Sequence, residues 1–245
     1  MRIALGIQYN GSAFCGWQTQ PDMPNVQDTL ESALKTFATV PISSICAGRT
    51  DTGVHATHQV VDFKAPVAPL TAWVRGVNTF LPPTVAVRWA CEVPDDFSAR
   101  FSATERTYEY WLLNDPVRSP LMEGFVGWVF RPCDETKMQE AAQCLLGEHD
   151  FTSFRASECQ AKSPIRTIHE VTVKRCGNMI GIRLRANAFL HHMVRNIVGS
   201  LVYVGTGKQS VQWFNDVLEA RDHVCRGGAL SGWGEVPERS PIASL

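Results

Sequence analysis

The chain is 245 residues long, 44% hydrophobic and 19% charged, with a formal net charge of -1. That balance excludes a disordered chain, a collagen-like repeat and a disulfide-stapled mini-domain, and it supplies apolar residues for one large core or two modest ones. No apolar run reaches the roughly 18 to 20 residues of a membrane span, and the apolar stretch in the opening MRIALGIQYNGS is too short for a signal peptide. A cytoplasmic protein with reduced thiols is the expectation.

Arg2 to Tyr9 reads as a short apolar strand closed by the turn Asn10-Gly11. Asn25 is placed to cap a helix in which Val26, Leu30, Leu34 and Phe37 recur at helical spacing, with Asp28 in the first turn and Glu31 four residues before Lys35. Gly48 and Gly53 bracket a tight loop, and Gln59 to Phe63 reads as a strand. Leu70 to Phe80 follows as a helix stopped by Pro82-Pro83, and Val85 to Val93 as a closing strand.

In the second half, Thr107 to Leu113 is a strand that places Arg106, Tyr108 and Tyr110 on one face and Thr107, Glu109 and Trp111 on the other. Asp134 caps a helix through Met138, Ala141, Ala142 and Leu145 that ends at Gly147. Val171 to Lys174 and Ile180 to Arg185 flank Gly177-Asn178 as a hairpin. Phe189, Leu190, Met193, Val194, Ile197, Val198 and Leu201 share one helical stripe, with His191, His192 and Arg195 at its N-terminal end. Ser210 caps a last helix through Val211, Phe214, Val217 and Leu218. The pattern is α+β: two α/β sandwich-like domains with antiparallel sheets, residues 1–104 and 105–245, joined without a Ser/Gly linker and expected to meet at a central cleft.

The near-neutral total charge hides a gradient. Residues 1–152 carry a net -6, residues 153–208 a net +7 and residues 209–245 a net -2. A local basic excess, mostly arginine, is the footprint of a phosphate-bearing partner, although a solvated basic face reads the same way. The eight cysteines lack the two-to-four-residue spacing of a zinc knuckle or redox motif and read as small buried apolar residues. His55 with His58, and His191 with His192, have no carboxylate or thiol at ligand spacing, so no metal is expected.

The densest chemistry lies in Ala47-Gly48-Arg49-Thr50-Asp51-Thr52-Gly53-Val54-His55-Ala56, where one cation, one carboxylate and two hydroxyls stand between two glycines. An aspartate two residues from an arginine serves as a positioned nucleophile or base, or else forms a structural pair with an Asx-turn. This loop, with YNGSAFCGWQTQ before it and QVVDFKA after it, resembles the signature of the tRNA pseudouridine synthase A family. The resemblance continues through FSARFSATERTYEY, LLGEHDFTSFRASECQAKSPIRTI and ANAFLHHMVRNIVGSLVYVGTGK, spanning about residues 3 to 222.

The resemblance implies the pseudouridine synthase fold and a cofactor-free isomerase that converts uridine to pseudouridine in the tRNA anticodon stem-loop, at positions 38 to 40. Asp51 falls on the family's catalytic aspartate, which attacks uracil C6 or ribose C1′, or promotes a glycal. Arg49 matches the arginine that pairs with that aspartate and helps hold the everted nucleotide. Tyr108 matches the tyrosine packed on the uracil ring. Arg155, Lys162, Arg166, His191, His192 and Arg195 match tRNA-facing positions or their neighbours, and a homodimer is implied, one tRNA contacting both protomers.

The chain departs from the family pattern in three places. Asn10 stands for a usual Asp, which preserves the turn chemistry but removes a charge, and Ser98 stands for a frequent His. From about residue 223 the tail HVCRGGALSGWGEVPERSPIASL shows no strand alternation where the family has a last strand. The expectation is a divergent, unstructured tail that leaves a sheet edge uncovered, and with it an alternative function: a catalytically impaired protein of the same fold that binds and folds tRNA.

Overall fold

Large apolar residues on alternate positions of the first strand set the first core. In the computed structural model, which describes residues 1–66, 69–222 and 241–244, the chain divides into two compact units. One is Met1–Thr104 with Ile242–Leu245, and the other is Glu105–Pro241.

In the first unit β1 (Arg2–Tyr9) is the centre of an antiparallel sheet. Neighbours are β3 (His55–Lys64) and β4 (Val85–Val93), with the two-residue β2 (Ile45–Cys46) on the far side of β3. Ile3, Leu5 and Ile7 of β1 are fully buried and pack with Leu30 and Leu34 of α1 (Val26–Ala38) and with Trp73 and Val77 of α2 (Leu70–Asn78). The Asn25 side chain caps α1 by accepting from the Asp28 N–H at 2.8 Å. Asn10 still makes its turn, accepting the Ser12 N–H at 3.0 Å. Strand β3 starts four residues before the expected Gln59, because its ladder with β1 runs on to Tyr9 opposite Ala56.

A buried ion pair ties this unit together. Asp62 of β3, wholly buried, takes Arg2 at 2.5 and 2.8 Å through one oxygen, and its other oxygen accepts the Ala99 N–H at the start of α3 (Ala99–Ser102) at 2.6 Å.

In the second unit β5 (Arg106–Asn114), β9 (Met179–Ala186), β8 (Ile165–Cys176) and β7 (Gly147–Asp150) run in that spatial order as an antiparallel sheet. The short β6 (Gly127–Val129) pairs parallel with β5. Helices α4 (Glu135–Ala142), α5 (Met193–Gly205) and α6 (Val211–Ala220) contact one another, and α5 is apolar and buried along nearly its whole length. Its start corrects the expected stripe. His192 adopts a left-handed φ of 60°, so Phe189 and Leu190 belong to the approach and the helix begins at Met193.

Two further expectations need correction. The tail supplies a strand, β10 (Pro241–Ser244), which pairs parallel with β3, Ile242 opposite His55 and Ala243 opposite Ala56. Four residues are too few for alternation to reveal, and the rest of the tail, 223–240 and 245, lies outside the described residues. Of the described cysteines only Cys133 is buried, and Cys176 is exposed at a hairpin end.

Burial pushes the Cys46, Cys133 and Cys144 thiols up to about 11, so they stay protonated, and slow to react, to higher pH than an ordinary thiol. Iodoacetamide at pH 8 should therefore label these three much more slowly in the folded protein than in urea, as read by peptide mass mapping. Asp62→Ala should cost about 3 to 5 kcal/mol in urea denaturation, because it leaves Arg2 with only the Asp95 carbonyl and strands the Ala99 N–H.

Candidate functional site

The loop that joins β2 to β3 is pinned at several of its peptides. The Ala47 N–H donates to Val60 O at 2.9 Å, the Trp17 N–H to Thr50 O at 2.9 Å, and the Gly53 N–H to Phe14 O at 3.3 Å. The loop closes on itself where the Val54 N–H donates to Asp51 O at 3.1 Å. At its far end the Gly11 N–H donates to Nδ1 of buried His55 at 3.1 Å. Side chains then alternate: Thr50 is buried, whereas Arg49 is exposed and Asp51 half-buried. The Arg49 guanidinium also pulls the Cys46 thiol downward, although burial outweighs it.

Gly16 makes the close approach possible. Its φ is +89°, and a Cβ there would lie 2.7 Å from Thr50 O and 3.3 Å from the Asp51 carbonyl carbon. Thr50, His55, Gln59 and Gly16 hold this loop, a part that the sequence did not assign to them. The one available signal was Gln59, a polar residue at a position of an apolar strand that the alternation turns inward.

In the second unit Tyr108 lies on β5, partly exposed, with Phe189 edge-on at 5.0 Å and 84°. Phe189, expected in the core, is only partly buried and serves as the side wall of that ring. Tyr110, two residues on, is buried. Its phenol is pushed up to about 12 by burial, against the nearby positive charge of Arg195.

The basic residues are held by a second set of backbone anchors. Buried Asn196 of α5 donates from Nδ2 to Phe154 O at 2.6 Å, and the Ala156 N–H donates to His191 O at 2.9 Å, which fixes Arg155 against the α5 entrance. The His191 and His192 rings lie 3.9 Å apart, tilted by 33°. Arg166 of β8 donates from Nη1 to Ser163 O at 3.0 Å and Ile165 O at 2.6 Å. Burial, and more weakly the charge of Arg106, lower its pKa, while negative charge at Cys159 acts the other way. Nε of Arg155 and Nε of Arg166 are both buried with no hydrogen-bond partner among the described residues. Lys162 is exposed.

Three other arginines of the basic segment are neutralised. Arg175 meets Glu135 at 2.8 Å, Arg185 meets Glu105 at 2.8 Å and Glu170 at 3.2 Å, and Arg183 lies 3.6 Å from Glu109 and from Glu170. The basic residues of 153–208 thus divide: Arg175, Arg183 and Arg185 are paired with acids, and Arg155, Lys162, Arg166 and Arg195 are not in those ion pairs.

Gly16→Ala should cost about 1 to 3 kcal/mol in urea denaturation. Gly177→Ala, also at positive φ but with nothing within 4 Å of a Cβ, should cost less, because the first variant adds a clash with the loop backbone.

Comparison with known proteins matches a tRNA pseudouridine synthase family model to residues 6–102 and 141–230. The tRNA pseudouridine synthase A of Burkholderia multivorans is 57% identical over 223 residues, covering 91% of this chain and 83% of that protein. The synthases of Paraburkholderia phytofirmans and Janthinobacterium sp. (strain Marseille) are each 55% identical, covering 90% of this chain and 82% and 84% of theirs. With its Arg49-Thr50-Asp51 loop inside the matched region, the chain belongs to the tRNA pseudouridine synthase family.

Proposed function

We propose that the protein isomerises uridine to pseudouridine in the tRNA anticodon stem-loop, at positions 38 to 40, with Asp51 as the catalytic carboxylate. The observation that carries this reading is the held loop. Thr50 is turned into the protein, so Arg49 and Asp51 are presented from a backbone that is hydrogen-bonded on both sides of them. Such fixing is what a reacting group requires.

The reaction breaks the bond from uracil N1 to ribose C1′ and forms one from C5 to C1′, and the C5 hydrogen leaves as a proton while N1 gains one. Atoms and electrons balance without an oxidant or a cofactor. Asp51 serves by attacking C6 or C1′, or by promoting a glycal, and Arg49 pairs with it and holds the everted nucleotide. Removing the base from its stack costs a few kcal/mol. Tyr108, steadied by Phe189, stacks on the uracil and returns about 1 to 3 kcal/mol of that.

Arg155, Lys162, Arg166, His191, His192 and Arg195 face the tRNA. Their concentration in residues 153–208, which carry a net +7, supports this, because phosphate contacts favour a basic segment. The protein acts in the cytoplasm as a homodimer, and no helix among the described residues is long and apolar enough to cross a membrane. Strand β10 beside β3 favours catalysis over the impaired tRNA-binding alternative, which rested on a missing strand.

Tritium release from tRNA labelled at uridine C5 tests the reaction. The native chain should release the label and Asp51→Ala should not, whereas equal release by both would overturn the assignment. Arg155→Ala and Arg166→Ala should each weaken tRNA binding and flatten the slope of log K against log salt by about 1, read by filter binding at several salt concentrations.

A further inference from the structure

Three polar side chains are buried where the Gly48–Val54 loop meets the sheet: Tyr9 of β1, Gln59 of β3 and the loop's own Thr50, with 3%, 0% and 6% exposure. A buried carboxamide is costly unless each of its polar atoms finds a partner, so the choice of partners is informative.

Gln59 directs both ends of its amide at one loop residue. Nε2 donates to Gly48 O at 2.6 Å and Oε1 accepts the Gly48 N–H at 3.4 Å, while Nε2 also lies 3.5 Å from Tyr9 Oη. Tyr9 Oη continues the network to Thr50 Oγ1 at 2.8 Å. The residues on either side of Arg49 are therefore each gripped from the sheet, Gly48 through β3 and Thr50 through β1. Gly48 has no side chain with which to anchor itself, so the Gln59 amide supplies the restraint that its own sequence position lacks. A leucine at 59 would fill much the same space without holding the loop. Packing thus accounts for a large residue at this position but not for an amide.

We propose that Gln59 is a positioning residue for the isomerisation, acting through Gly48 to set the backbone path that aims Arg49 and Asp51. The proposal rests on the reading of Asp51 as the reacting carboxylate. A displaced nucleophile loses rate while the tRNA-binding cations stay in place, so the signature is a fall in the chemical step at unchanged affinity.

Single-turnover tritium release and tRNA filter binding, measured on the full chain, separate the two quantities. Gln59→Leu should slow release by on the order of 10- to 100-fold with affinity within about twofold of native. Tyr9→Phe, which keeps the ring and removes the hydroxyl that reaches Thr50 and Gln59, should slow release by a smaller factor. Gln59→Glu gives a readout that does not depend on how well Gln59→Leu folds. Its neutral carboxyl donates an O–H to Gly48 O as the amide does, whereas its carboxylate cannot. The release rate of Gln59→Glu should therefore climb toward native as pH falls through the pKa of that carboxyl, a step that the native chain lacks.

Three results would overturn the proposal: Gln59→Leu releasing at the native rate, Gln59→Leu losing rate only in proportion to affinity, or Gln59→Glu following the native pH profile. Asp51→Asn releasing at the native rate would instead overturn the underlying assignment, and the role of Gln59 with it. With Asp51→Asn silent and Gln59→Leu normal, only the positioning role fails.

Discussion

A loop that carries reactive side chains must satisfy its own backbone without the ladder of a strand or the turns of a helix, and this constraint organises the first unit. Residues 47 to 54 meet it by borrowing partners from three places, the backbone of β3, the Gln59 side chain and the peptides of Phe14 and Trp17, while Tyr9 holds the Thr50 hydroxyl. Gly16 at positive φ lets its segment come close enough for the last of these. Because Thr50 is the residue turned inward, its two neighbours are turned the other way. The exposure of Arg49 and the half-burial of Asp51 follow from that one anchored residue.

The second unit solves a charge problem in the same economical manner. Its sheet carries Arg183 and Arg185 opposite Glu109, Glu170 and Glu105, so the cations on that face are balanced within the fold. Arg155 and Arg166 are different: both are half-buried, the Nε of each has no hydrogen-bond partner among the described residues, and they sit on segments tied down by Asn196 and by the Ser163 and Ile165 carbonyls. Arginines that look alike in sequence thus differ in the fold: Arg183 and Arg185 are paired with acids, whereas Arg166 donates to backbone carbonyls.

Much of this was legible in the sequence where the signal is local. The strand Arg2–Tyr9, the Asn25, Asp134 and Ser210 caps and the hairpin around Gly177-Asn178 all rest on a few adjacent residues, and the structure has each of them. The loop with Arg49 and Asp51 was visible for the same reason. The grip of Gln59 on Gly48 and of Tyr9 on Thr50 was not, because those partners stand 11 and 41 residues apart and no period links them. The start of α5 was misjudged since the apolar stripe continues through Phe189 and Leu190, and only the left-handed backbone at His192 breaks the helix there. Strand β10 was hidden by its brevity, and the balancing of the basic segment by acids drawn from distant strands.

The central claim is that this chain makes pseudouridine at defined places in tRNA by means of Asp51. The most direct test is to incubate unmodified tRNA with the chain, treat the product with a carbodiimide that marks pseudouridine, and read the marked positions by primer extension. The account predicts stops confined to positions 38 to 40, and their disappearance with Asp51→Asn. Marks elsewhere in the tRNA, or marks at those positions that survive the substitution, would contradict it.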